Sequence, residues 1–549
     1  MKKTNIYFVV IAGLMAVLTG LWAQEDYTIN CGRLTHLARA NGGDRWTWPA
    51  DFDKGDYYEV NDSDPDIWFL AKDWTDPAGT FYSTAIEFDV FPVSSKKVIK
   101  YPYPDIYVDG SDVSFPVDYD EIDETQPADQ MVESVFHSSL GITVVKRTYG
   151  YSHPDYQDFV IAHFMLINTG EADDIEGVDL DGQVVTDFYF VNHKEYHPGN
   201  DVPSYHRPGQ RSYWADYYGD EPGDTLKLCY GWDGDDPDNE VEDEGNPNYD
   251  TGEFLTPQYD GHGLIHADSS VSDRSHATAQ PLTVLRDARY EWRNKADTEK
   301  FNRLTDGQFP PHRDTDAPGA NPIDEQHPQQ WMSVGPYTLN FSDTINVVMF
   351  YGVGSRELEE CLVEGAKWKA GEINNTEKDA FLRWGKDDLL NKLGRAKRLW
   401  ENDLQLPGGF NPQPPASMTV ESGRGEVTLS WTAPEGDVPA AGYNLYRARG
   451  KQDSVLYYIL KPDIPGTSYA DTAVKIGFDY YYSLTAYDAN DVESSQYLLR
   501  TSRKSAVPDA IQGTADLSDV RVVPNPFWYD RSAQTNYVGQ KDKLMFAGL

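Results

Sequence analysis

Tyr480-Tyr481-Tyr482-Ser483-Leu484-Thr485-Ala486 is the stretch whose reading decides the fold class. Successive side chains of a β-strand point to opposite faces of the sheet. Tyr480, Tyr482, Leu484 and Ala486 therefore share one face, and that face is apolar. Upstream lie two further segments rich in β-formers, Val427-Thr428-Leu429-Ser430-Trp431 and Gly442-Tyr443-Asn444-Leu445-Tyr446-Arg447. Short segments of this kind, bounded by polar and Gly-rich turns, predict strands.

Residues 415–508 resemble a fibronectin type III domain on these motifs. Val427–Trp431 matches strand B with its core Trp, Gly442–Arg447 matches strand C, and 480–486 matches the Y-x-Y-x-hydrophobic-x-A pattern of strand F. The resemblance implies a β-sandwich in which the 480–486 face packs on Trp431 and Tyr480 forms the tyrosine corner. Asp491 stands where the turn after strand F usually has Gly. This fold serves as spacer, adhesive module and enzyme accessory alike, so it does not name a function.

Upstream, residues 24–354 read as one large β-rich, β-sandwich-like domain with long acidic loops. Leu140–Tyr149, Phe159–Ile167 and Gln183–Val191 are strand candidates. Tyr337–Leu339 and Ile345–Val353 are expected to form a hairpin across the polar turn Asn340–Thr344. Long polar loops lie between these strands, most of them within 192–224 and 231–335, and they are the place to look for function. This region resembles an uncharacterised domain of secreted environmental bacterial proteins, on Phe159–Gly170 and Ser333–Tyr337. Residues 355–405 form a helical segment packed on that domain. Its helices are expected at Glu357–Ala370 and Glu377–Trp400, the second with Leu389, Leu393, Ala396 and Leu399 at helical spacing. A Pro/Gly linker, 406–414, then leads to the fibronectin-like segment.

The two ends of the chain predict export. Lys2 and Lys3, the apolar run Ile6–Leu18 and Ala23 follow the order of a secretory signal peptide, 1–23. Val520-Arg521-Val522-Val523-Pro524-Asn525-Pro526-Phe527 resembles the opening of a type IX secretion C-terminal sorting domain. Residues 519–549 are expected to be a truncated part of such a β module. The resemblance implies type IX-like export machinery and a secreted or outer-surface location on a Gram-negative-type bacterium. No segment of the mature chain is long and apolar enough to span a bilayer.

Of the 549 residues, 47 are Lys or Arg and 89 are Asp or Glu, a formal charge of −42. Such a field repels nucleic acid and anionic lipid. The three cysteines, Cys31, Cys229 and Cys361, leave room for at most one disulfide.

Asp233-Gly234-Asp235-Asp236-Pro237-Asp238-Asn239-Glu240-Val241-Glu242-Asp243-Glu244 is the densest acidic tract. Asp233, Asp235, Asp238 and Glu240 would supply the oxygens of a calcium loop, against the plainer reading of a solvated acidic loop. Pro237 and Asp238 break an EF-hand register. Asp179-Leu180-Asp181-Gly182 reads as a β-turn. His193 and His197 lack the H-E-x-x-H order and are read as loop residues. If Gly263–Ala267 is extended, His262 and His266 share a face. Trp46, Trp48, Tyr213 and Trp214, set among Asp and Arg, are the candidate aromatic platform for sugars. No nucleophile elbow, P-loop or dinucleotide fingerprint occurs. The expected function is a secreted or cell-surface structural and interaction protein of adhesion type, its partner an extracellular polymer. The alternative is a polysaccharide-binding or polysaccharide-degrading protein.

Overall fold

A computed structural model describes residues 25–48, 56–58, 67–87, 89–175, 177–196, 213–220, 224–235, 243–249, 251–276, 282–288, 294–310, 312, 328–407, 409, 412–436, 438–449, 457–508, 521–523 and 545–547. The signal-peptide segment lies outside the described residues, as does most of the sorting-like module. The chain is mainly β, as its alternating segments predict.

A four-stranded sheet opens the chain: β1 (Tyr27–Ile29), β2 (Thr35–Ala38), β3 (Asp44–Trp48) and β4 (Asp56–Tyr58), in that order. A five-stranded sheet contains β5 (Ile67–Thr75), β6 (Phe81–Glu87), β14 (Val185–Glu195), β18 (Leu282–Ala288) and β19 (Pro328–Leu339), ordered β18-β19-β14-β5-β6. A nine-stranded sheet contains β7 (Val90–Ile99), β10 (Glu121–Ile122), β11 (Gln130–Ser138), β12 (Ile142–Gly150), β13 (Phe159–Asn168), β15 (Tyr213–Tyr218), β16 (Lys227–Asp233), β17 (Tyr259–Ala267) and β20 (Thr344–Gly354). Its order is β10-β7-β11-β12-β13-β20-β17-β16-β15.

The C-terminal sandwich holds β21 (Ser417–Ser422), β22 (Val427–Thr432), β23 (Gly442–Arg449), β24 (Tyr458–Ile464), β25 (Ser468–Asp471) and β26 (Tyr480–Tyr487). Two upstream strands, β8 (Asp105–Val108) and β9 (Ser111–Asp112), join it. Its sheets are β25-β22-β21-β8-β9 and β24-β23-β26. Within the sorting-like segment, β27 (Arg521–Val523) pairs antiparallel with β28 (Met545–Ala547). The helices are α1 (Asp297–Thr305), α2 (Leu358–Ala370), α3 (Asn375–Leu382) and α4 (Trp384–Glu401).

The five- and nine-stranded sheets pack face to face. In β14, Phe188 and Phe190 enter the core between the sheets, while Tyr189 and Val191 turn outward against Phe301 and Leu304 of α1. In β13, Val160 and Ala162 face inward, and Phe159 and Ile161 meet α4 through Leu389, Leu393, Ala396 and Leu399. Period-2 alternation thus feeds two cores at once, with a helix sealing each outer face.

Three sequence expectations change. The hairpin of 337–353 does not exist: β19 pairs with β14 and β18, whereas β20 pairs with β13 and β17. The polar turn between them crosses from one sheet to the other, and a turn looks the same locally in either case. The stretches 192–224 and 231–335 hold, among their loops, β15, the end of β16, β17, β18 and α1. Two glycines of β17 are its seat for α4. A Cβ on Gly261 would lie 2.8 Å from Leu389, and one on Gly263 would lie 2.9 Å from Leu393. The expected helix 377–400 is two helices, α3 and α4, meeting at Arg383. Gly385 follows that break and packs on Gly354.

The third change concerns the linker. Leu404 and Leu406 are buried with α4, and β8 pairs in parallel with β21, Ile106 opposite Met418 and Val108 opposite Val420. Ile106 and Val108 are fully buried in the core of the C-terminal sandwich. That sandwich therefore includes a strand from the N-terminal half and is no free spacer.

Candidate functional site

The predicted aromatic platform is dismantled by burial. Trp46, Trp48 and Trp214 are 2%, 2% and 4% exposed. Trp46 Nε1 donates to Asp260 Oδ1 at 3.1 Å, and Trp48 Nε1 donates to Asp158 Oδ1 at 2.9 Å. Lys194 Nζ lies 4.2 Å from the Trp46 ring centroid, inside the sandwich. These indoles sit beside acids because buried N–H groups need acceptors, not because they await a sugar. Tyr213 opens β15, paired with Asp233; its side chain lies outside the described residues.

Of the calcium candidates, Asp238 and Glu240 lie outside the described residues. Asp233 is buried at the end of β16, and Asp235 is exposed. The far end of the tract is tied down. Lys378 Nζ lies 3.0 Å from Asp243 Oδ1, Arg383 lies 3.2 Å from Glu244 Oε2, and Tyr259 donates to Glu244 Oε1 at 3.2 Å. Among the described residues, no group of three or more His, Cys, Asp and Glu side chains could hold a metal ion.

Burial pushes the Glu244 carboxyl from its ordinary 4.5 up to about 7, against the pull of Arg383. Between those values the folded chain keeps a proton that the unfolded chain has released. Stability should therefore fall as pH rises from 4.5 to about 7. The slope contributed by this group is at most about 1.4 kcal/mol per pH unit. Urea titrations across that window should show the slope diminished in Glu244→Gln; an unchanged slope would place its origin elsewhere.

The histidines also move. His193 lies on β14 and is buried, stacked on Trp331, rather than in a loop; His197 lies outside the described residues. His262 and His266 face opposite ways. His262 Nδ1 meets Tyr196 Oη at 2.8 Å inside the sandwich, whereas His266 meets Asp268 at 3.0 Å and packs near Trp400 of α4. A register shift between Leu264 and His266 causes this, since one extra residue reverses the alternation. Asp179 accepts from the Ala172 N–H at 2.8 Å, in a turn with Gly182 at φ 69°.

The site that the fold does build lies where the N-terminal domain, α2 and the C-terminal sandwich meet. It is an open cleft of about 670 Å³. Tyr446, Tyr457, Tyr458 and Tyr497 line one side; Arg33 and Glu357, Glu359 and Glu360 at the start of α2 line the other. Tyr458, on edge strand β24, is 51% exposed. Arg500 stands 5.1 Å from the Tyr497 ring centroid.

Two anchors hold this geometry. Arg33 grips Asp158 through Nε at 2.6 Å and Nη2 at 2.7 Å, and reaches Glu357 through Nη1 at 2.8 Å. Across the cleft, Glu493 accepts from Asn444 Nδ2 at 2.6 Å and Thr485 Oγ1 at 2.8 Å, while Tyr446 Oη lies 2.8 and 2.9 Å from its two oxygens. Burial and Glu493 raise the pKa of Tyr446, so its phenol stays a neutral donor. Ser495 Oγ donates to the Cys31 carbonyl at 2.6 Å and fastens the two halves behind the cleft. None of these residues reads in the sequence as part of a site; Asn444, Tyr446 and Thr485 read as strand and Glu357 as a helix start. They come from five separated chain segments.

No protein-family model matches the chain. An amylopullulanase of Thermoanaerobacterium saccharolyticum is 37% identical over 83 residues, 15% of this chain and 6% of that one. An amylopullulanase of Thermoanaerobacter thermohydrosulfuricus is 36% identical over 84 residues, 15% of this chain and 5% of that one. The chain thus spans only a small fraction of the curated relatives it matches. Among solved structures, a Fn3-like protein from Clostridium thermocellum aligns at 26% identity over 19% of this chain and 97% of its own, with a TM-score of 0.14. A β-1,2-glucanase from Parabacteroides distasonis aligns at 12% identity over 58% of this chain and 37% of its own, with a TM-score of 0.15.

The residues decide the C-terminal sandwich. Trp431, Tyr480, Tyr482, Leu484 and Ala486 share one buried core, and the Lys475 N–H donates to Tyr480 Oη at 2.7 Å, which is the tyrosine corner. This is a fibronectin type III-like domain. Asp491, in the place of the usual Gly, adopts φ 62°, the left-handed conformation that Gly tolerates best and Asp better than most. The fibronectin-like domain supplies Tyr446, Tyr457, Tyr458, Tyr497, Glu493 and Arg500 to the cleft.

Proposed function

We propose that this is an exported carbohydrate-binding protein of the cell surface or the extracellular space, and that a polysaccharide chain seats in the cleft between the N-terminal domain and the fibronectin-like domain. The observation that carries this reading is the cleft lining. A sugar ring offers an apolar C–H face and a rim of hydroxyls. Exposed Tyr458, with half-buried Tyr457 and Tyr497, suits the face, and oriented carboxylates and an arginine suit the rim. Glu493 is already oriented by three side chains. The 83-residue likeness to amylopullulanases points in the same direction. The reading assigns binding and no catalytic step.

Export by a signal peptide at 1–23 and a type IX-like sorting module at 519–549 belongs to the same proposal. So does calcium at Asp233, Asp235, Asp238 and Glu240. No described helix is long and apolar enough to cross a membrane.

The test is a glycan array and affinity electrophoresis in pullulan, starch and other neutral glucans, with calcium and with a chelator. Binding of at least one polysaccharide is expected. Tyr458→Ala should weaken it about tenfold, equivalent to about 1.4 kcal/mol. Absence of binding to every glycan in both conditions would remove the proposal; binding unaffected at Tyr458 would remove the cleft as its seat.

A further inference from the structure

Three ionisable side chains meet in the buried centre of the N-terminal domain. Lys146 of β12 places Nζ 2.5 Å from Asp44 Oδ1 of β3, and His36 Nε2 of β2 lies 2.8 Å from the same oxygen. His36, Asp44 and Lys146 are each at most 1% exposed. The surroundings are aromatic: the Phe164 ring centroid is 5.4 Å from Lys146 Nζ, and His36 stacks on Trp46 and Tyr351. The Gly42 carbonyl accepts from Lys146 Nζ at 2.8 Å, and so fixes the amine against the β2–β3 turn.

We propose that Lys146 and Asp44 condense into an intramolecular isopeptide bond that staples the four-stranded sheet to the nine-stranded sheet. Both reacting atoms are pre-positioned by strands 102 residues apart in sequence, so little motion separates contact from reaction. Burial opposes the ion pair, although Lys146, His36 and Lys194 together hold the Asp44 carboxyl below its usual range. The reaction opens with proton transfer from Nζ to the carboxylate, which leaves a neutral amine and a neutral acid. The Nζ lone pair then adds to Asp44 Cγ and the N–C bond forms. The Cγ–Oδ1 bond breaks, and Oδ1 leaves as water. One proton on that water is the one already passed to the carboxylate. The second comes from the nascent amide nitrogen, relayed by His36 Nε2, which faces the leaving oxygen. Lysine and aspartate become an amide plus one water, histidine is regenerated, and no oxidant or co-reactant is required.

The contrast with two other buried lysines, Lys378 and Lys392, supports the choice. Lys378 lies between Asp243 and Asp379, and Lys392 lies between Asp158 and Asp388. Asp243 and Asp379 outweigh burial and keep the Lys378 ammonium charged and unreactive. At Asp44 the stoichiometry is reversed, with two basic groups on one carboxylate oxygen. Burial lowers the pKa of His36 despite the pull of Asp44, so the ring is neutral and can carry a proton in transit. Among the described residues its Nδ1 has no hydrogen-bond partner, so no described group on that side holds the ring to one tautomer. The three cysteines are free, so this amide would be a covalent tie between segments that carry no disulfide.

Intact-mass measurement of the purified chain, with its N-terminal residue determined, is the direct test. The expected mass is one water below the sum of its residues. Digestion should yield a branched peptide joining the segment of Asp44 to that of Lys146. Lys146→Arg should restore the missing water and release the two peptides separately, and His36→Ala should slow or prevent the linkage. A full residue mass with a free Lys146 peptide in the unaltered chain overturns the proposal. So does a water loss that survives Lys146→Arg, because the dehydration would then lie elsewhere.

Discussion

Asp158→Ala should destabilise the folded chain by about 3–5 kcal/mol, the cost of leaving buried cations without their partner. Asp158 joins Arg33 beside β2, Lys392 of α4 at 2.8 Å and Trp48 of β3 at 2.9 Å. All three touch it, so its loss acts on the first sheet, the sealing helix and the floor of the cleft together. Burial raises the pKa of this carboxyl, but Arg33 and Lys392 outweigh burial and hold it well below the usual carboxylate range. The sign follows from that depression. The stabilisation is complete above the ordinary carboxylate pKa and is lost as pH falls toward the lower folded value. Guanidinium unfolding monitored by tryptophan fluorescence should show a lower midpoint with unchanged slope in the variant. It should also show a shallower loss of stability on acidification. A change under about 1 kcal/mol would mean that Glu357 and Asp388 compensate the two cations unaided.

Ile106→Ala should cost about 2–5 kcal/mol, and the loss should appear in the fibronectin-like domain rather than in the domain that precedes it in sequence. Ile106 is fully buried in the same core as Met418 and Trp431. Around it, the Asp109 carboxylate accepts from the Ser422 N–H at 2.6 Å and Ser422 Oγ at 3.0 Å, and Lys504 Nζ donates to the Val108 carbonyl at 2.9 Å. Amide exchange resolves the location. Protection should fall along β21 and β22 while β12 and β13 keep theirs. Exchange unaltered in β21 would show that β8 merely decorates a self-sufficient domain.

The covalent staple and the cleft are independent in this scheme. One is chemistry in the core of the N-terminal domain; the other is recognition at its junction with the fibronectin-like domain. A chain without the amide could still bind glycan, and a chain that binds none could still carry the amide.

Local pattern and tertiary context divide the credit unevenly. The alternation in 140–149, 159–167 and 480–486 marks β12, β13 and β26 because a half-buried strand imposes period 2 on its own residues. Leu389, Leu393, Ala396 and Leu399 mark α4 because a buried helix face imposes its own spacing. The Trp431 and Tyr480 motifs identify the fibronectin-like domain because its core is assembled from neighbouring segments. Nothing comparable marks the cleft. Glu357, Tyr458 and Tyr497 carry no signal in their local sequence, and they become a site only when α2, β24 and the segment after β26 converge.

The sequence by itself determined the strand-rich class, the acidic charge, the sealing helix and the fibronectin-like core, all consequences of local periodicity and composition. Tertiary structure alone decided which strand pairs with which: β8 with β21, and β19 and β20 in separate sheets. It also turned Trp46 and Trp48 inward and placed Lys146 against Asp44. The physical reason is that pairing, burial and ion contacts are made by residues far apart in the chain. Their partners leave no trace in the residues beside them.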